Sequence, residues 1–141
     1  MLTRALFALV LICGIATAKS AEAGETKVLA FGLTEHEVTA AELKSGSELP
    51  VPRFNTPAVA YVLAANLKKG DTVEISLDNR DTALHRNKQT LAEDKATFLL
   101  QAGKTGVPAG GWPQGTYQAS LKITRDGKVL IEESTTPMIF E

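Results

Sequence analysis

The chain has 141 residues, Lys+Arg 15 against Asp+Glu 16, a formal net charge of −1 and a single cysteine, Cys13. That near-neutral balance, without a long basic block, gives no electrostatic support for nucleic-acid binding. The lone cysteine excludes an internal disulfide, a redox pair and a cysteine-rich zinc site.

In chain order, residues 1–23 read as a secretory signal. Arg4 supplies the positive start, and Ala5 to Ile15 form an apolar stretch too short to span a bilayer comfortably. The small-residue sites Ala16-Thr17-Ala18 and Ala21-Glu22-Ala23 follow, with cleavage after Ala23 favoured over cleavage after Ala18. Ile12 in front of Cys13 argues against lipid attachment there. Cleavage after Ala23 removes Cys13, Arg4, Lys19 and Glu22, so residues 24–141 form a cysteine-free domain with a formal charge of −2. The expected location is periplasmic or secreted, and the expected mature protein is not an integral membrane protein.

Lys27 to Leu33 is expected to be a strand, with Val28, Ala30 and Gly32 on one face and Leu29, Phe31 and Leu33 on the other. Thr39-Ala40-Ala41-Glu42 matches a capping box, and Gly46 limits any helix there to a turn or two. Leu49 to Pro52 reads as an extended connector. Ala58 to Leu67 is an almost unbroken apolar run, framed by Pro57 and by Lys68-Lys69-Gly70-Asp71 as a strand and its turn would be. Thr72 to Leu77 alternates, with Val73, Ile75 and Leu77 inward, and is expected to form a hairpin with the preceding run.

The charged segment Asp78 to Asp94 predicts a short exposed edge strand. Ala96 to Gln101 predicts another strand, and the five glycines and two prolines between Ala102 and Gly115 predict a loop. Beyond it Tyr117, Ala119, Leu121 and Ile123 share one face of a strand. Asp126-Gly127 is the dipeptide of a two-residue type I′ turn, after which Val129 and Ile131 continue the apolar face. About seven short strands at this spacing predict a single antiparallel β-sandwich.

The segment Trp112-Pro113-Gln114-Gly115-Thr116-Tyr117, with Leu121, Ile123 and Asp126-Gly127-Lys128-Val129, resembles the end of bacterial immunoglobulin-like or fibronectin-type-III-like exported domains. The resemblance covers about 25 residues, and antibody-type paired cysteines are absent. It implies an Ig-like sandwich in which Tyr117 forms a tyrosine corner. It carries no function, because such sandwiches host many roles.

The remaining chemistry is sparse. His36 and His85 lie in polar segments without ligand spacing, so no metal or other cofactor is expected. No serine lies in a Gly-x-Ser-x-Gly elbow, and the pairs Glu93-Asp94 and Glu132-Glu133 would point to opposite faces of a strand. No enzymatic activity is expected. Trp112, after Gly110-Gly111, is a candidate binding residue, either stacking on a ligand or folding back beside Tyr117 to close the sandwich. Arg80 and Arg86 are candidate partner-binding residues within a mixed-charge stretch. The expectation is a non-catalytic binding or accessory module whose partner is another envelope or extracellular protein. The alternative is a small-ligand or glycan binder using Trp112 and residues 102–115.

Overall fold

The computed structural model describes residues 25–46, 48–80, 82–104 and 106–141. The expected signal segment and both its cleavage sites lie outside them. In chain order the elements are β1 (Lys27–Thr34), α1 (Ala40–Lys44), β2 (Ala58–Leu67), β3 (Thr72–Asn79), β4 (Thr82–Thr90), β5 (Lys95–Lys104), β6 (Thr116–Arg125), β7 (Lys128–Ser134) and β8 (Met138–Ile139). They form two antiparallel sheets, β1-β2-β5 and β4-β3-β6-β7, with β8 also paired to β6. The expected antiparallel sandwich is the observed architecture. No helix among the described residues is long and apolar enough to cross a membrane.

Period-two alternation builds the core. Val73, Ile75 and Leu77 of β3, and Tyr117, Ala119, Leu121 and Ile123 of β6, meet Ala58, Ala60, Val62 and Ala64 of β2 between the sheets. Each fully buried branched side chain contributes about 1.5–3 kcal/mol through removal of apolar surface from water. On the other face of β2, Val59 and Leu63 are buried as well. The segment after β1 covers that face. The Gln101 carboxamide receives the Val38 N–H at 2.8 Å and donates to the Val38 carbonyl at 3.0 Å. Two-sided burial explains the unbroken apolar run of β2.

Four expectations need correction. First, β2 and β3 do not form a hairpin: β2 pairs with β1 and β5, whereas β3 pairs with β4 and β6. The Lys68–Asp71 turn instead carries the chain from one sheet to the other. Its buried Asp71 carboxylate accepts from Lys68 N at 2.8 Å and from Arg125 Nε and Nη2, each at 2.8 Å.

Second, the faces assigned in the first strand change midway. Val28 lies opposite Ala64 and Ala30 opposite Leu63, leaving Leu29 as the extra residue of a bulge, 45% exposed. Val28, Phe31 and Leu33 therefore all face the core, although strict alternation put Val28 apart from the other two. Third, a bulge in the last hairpin turns Val129 outward. Ile123 faces Ile131 and Thr124 faces Val129, so Val129 is 50% exposed while Ile131 packs on the core.

Fourth, only half of the capping box forms. The Thr39 hydroxyl caps Glu42 N at 3.1 Å, but the Glu42 carboxylate lies 3.0 Å from His36 Nε2 instead of returning to Thr39.

The expected edge strand is present as β4, exposed along most of its nine residues. The type I′ turn is present too, with φ 53° at Asp126 and 77° at Gly127.

Candidate functional site

Register across the larger sheet places its outward side chains in rows. Lys88, Glu74, Lys122 and Glu132 align across β4-β3-β6-β7, and Arg86, Ser76, Ser120 and Ser134 form the next row. Asp78 and Gln118 follow, side by side on β3 and β6. The Asp78 carboxylate accepts from the Ser76 hydroxyl at 2.9 Å through one oxygen and from the Ser120 hydroxyl through the other. One carboxylate thus fixes two hydroxyls at the floor of a groove, with Ser76 itself buried. Arg86 Nε lies 3.2 Å from the Glu74 carboxylate, a pair exposed enough to contribute little stability.

Arg80 stands at the mouth of this groove. The backbone there has φ 57°, and its N–H donates to the Thr116 carbonyl at 3.1 Å. The guanidinium makes no ion pair with a described residue. The structure brings Arg80 and Arg86 together on one groove, as lining residues with Glu74, Asp78 and Ser120.

Trp112 lies elsewhere. It and Arg80 line a second cleft at the end of the sandwich, with Phe54, Gln114 and Phe140, so Arg80 stands at the corner between the two sites. The Trp112 ring is buried, and its indole N–H donates to the Thr56 carbonyl at 2.7 Å. It meets Tyr117 and Phe140 edge-on, each with ring centroids 6.0 Å away. Tyr117 stacks on Phe140 at 4.1 Å and donates its hydroxyl to the Pro113 carbonyl four residues back. Burial raises the pKa of the Tyr117 phenol. Trp112 therefore closes the end of the sandwich beside Tyr117, and its face is not a platform open to solvent.

The histidines occupy different layers. His36 lies against Glu42 beside α1, on the smaller sheet's side. His85 sits opposite Leu77 on β4 and so turns toward the sandwich interior, away from Ser76, Ser120 and Asp78. The serine–carboxylate cluster accordingly has no imidazole among its lining residues. Among the described residues, no group of three or more His, Cys, Asp or Glu is arranged to hold a metal ion.

Alternation with the inward Ile75 and Leu77, and with Ala119 and Leu121, turns Ser76 and Ser120 outward, but it does not make them neighbours, because the β3–β6 register joins positions 44 residues apart. Phe54 and Ile139, both in the end cleft, went unnoticed. Their only signal was a large apolar residue close to a proline, Pro52 for Phe54 and Pro137 for Ile139. No protein-family model matches this chain, and a search of curated proteins finds no match either.

Proposed function

We propose that the protein is a non-catalytic, exported binding or accessory module that works through protein–protein contacts with another envelope or extracellular protein. The observation that carries this reading is the groove in which Asp78 holds the Ser76 and Ser120 hydroxyls under Arg80 and Arg86. Fixed polar groups cost little ordering entropy when a partner's polar segment docks. Arginines at the rim present planar donors suited to carboxylates and backbone carbonyls. Trp112 supports this module over a ligand binder that stacks a sugar on its ring, since the ring is packed into the core and its N–H is already bonded.

Export is supported by Arg4, the apolar stretch after it and the two small-residue sites. The Tyr117 hydroxyl bond supports the Ig-like resemblance. One departure stands beside it: the fourth strand joins the third, whereas antibody constant domains place it in the first strand's sheet.

The test is an affinity pull-down from the native envelope with the wild type and an Arg80→Ala, Arg86→Ala double variant. One protein captured by the wild type and lost with the variant is the expected result. Equal capture by both overturns the assignment of the groove.

A further inference from the structure

Three large apolar side chains are exposed at the Trp112 end: Val51 (60%), Phe54 (48%) and Ile139 (63%). They line one cleft together with Arg53 and Glu141. The backbone beneath them is held firmly. Phe54 N donates to the Glu141 carbonyl at 3.2 Å, Trp112 N donates to the Phe54 carbonyl at 2.8 Å, and Ile139 pairs with Thr116 in the sheet. Gly111 passes so close that a Cβ there would stand 2.7 Å from the Phe54 ring. Neighbouring apolar side chains on a fixed support mark an interaction surface rather than incidental exposure.

The charges decide the occupant. In this cleft Arg53 and Glu141 flank the apolar residues, and neither forms an ion pair with a described residue; Arg80 lies beyond them, in the adjoining cleft. An acidic partner segment would meet Glu141, a basic one would meet Arg53, and an anionic membrane surface would also face Glu141. A second copy satisfies both signs at once. Rotation about a two-fold axis through the apolar centre can bring Arg53 of one protomer toward Glu141 of the other, which is the self-complementarity an isologous interface requires. An apolar centre within a polar rim is also the usual anatomy of such contacts.

We propose that this end of the sandwich is a two-fold homodimer interface, centred on Phe54 and Ile139 with Val51, and closed by Arg53–Glu141 pairs between protomers. The groove bearing Arg86 lies on the outer face of the larger sheet, and Arg80, which lines both that groove and the end cleft, stands at the border of the interface.

Sedimentation velocity of the purified protein from low micromolar to near-millimolar concentration tests this. The expected result is a reversible monomer–dimer equilibrium, weakened at least tenfold by Phe54→Ser with Ile139→Ser. Val51→Ser provides a second, milder variant should that pair impair folding, and circular dichroism checks each. Arg53→Glu and Glu141→Arg should each weaken the dimer, and the two together in one chain should restore it. Trp112, the single tryptophan, lines the adjoining cleft and gives an independent fluorescence readout on dilution.

A wild type that stays monomeric throughout overturns the proposal. So does a dimer indifferent to Phe54→Ser with Ile139→Ser, or a double charge reversal no better than the single ones. Binding to phosphatidylglycerol vesicles that needs Phe54 and Ile139, without self-association, assigns the surface to a membrane and also overturns it.

Discussion

Tyr117 concentrates more of the fold than any neighbour in its strand. It is fully buried, stacked on Phe140, edge-on to Trp112 and bonded through its hydroxyl to Pro113. Tyr117→Ala is expected to lower stability by about 3–5 kcal/mol, the range for large aromatic truncations in cores. Tyr117→Phe keeps the stack and loses the hydroxyl bond, so about 1 kcal/mol is expected. Urea unfolding of both variants measures the difference, and an unchanged midpoint for Tyr117→Ala would contradict the packing described. The inward direction of Tyr117 was legible from alternation with Ala119, Leu121 and Ile123. The partner of Trp112 was not, because the Thr56 carbonyl comes from a loop 56 residues earlier in the chain. Alternation reports which face a side chain takes, and says nothing about which distant loop will close over it.

The β6–β7 hairpin shows what local signals can specify at the scale of an element. Asp126 and Gly127 both adopt positive φ, and an added Cβ on Gly127 meets no neighbouring atom. Any penalty for Gly127→Val is therefore one of backbone conformation, on the order of 1–2 kcal/mol for a side chain forced into the left-handed region. Thermal unfolding should show that loss, and Gly127→Asn, which tolerates this region, should recover most of it. The same hairpin also shows where local signals stop. Leu29 and Leu130 are bulge residues inside runs that read as regular strands, and each bulge shifts which neighbours face inward. The β2–β3 connection was misread for a related reason. A turn between two strands looks alike in sequence whether it joins neighbours in one sheet or crosses between two. What marks the crossing is the buried Asp71, whose ion-pair partner lies 54 residues away.

For the molecule as a whole, Asp71 and Arg125 form the tie at the end opposite Trp112. The hydrogen-bonded guanidinium of Arg125 holds the Asp71 carboxyl below the usual carboxylate range, and Asp71 in turn raises the pKa of Arg125. A folded pKa lower than the unfolded one, about 3.9, gives stability that is complete above that value. It is lost as pH falls through the lower, folded value. Denaturation midpoints should therefore fall on acidification below about pH 4, and Asp71→Asn should remove part of that dependence. At neutral pH Asp71→Ala should cost about 1.5–3 kcal/mol, since it removes the buried carboxylate that accepts from Lys68 N and from Arg125. Zinc should behave differently. Because His36 and His85 occupy different layers, saturating zinc should leave the melting temperature unchanged. A specific site would raise stability by about 2.7 kcal/mol at a hundredfold excess over its dissociation constant, and a shift abolished by His36→Ala with His85→Ala would reveal one. The tie has a kinetic consequence as well. Arg125 Nη2 also donates to the Thr26 hydroxyl, joining residues 99 positions apart. The chain can complete this closure only once Arg125 has been synthesised, and only at the entropic cost of a very long loop. Sandwiches dominated by such distant pairings fold in milliseconds to seconds rather than microseconds. Stopped-flow refolding should fall in that slow range, so a newly made chain stays open for that long before the tie locks.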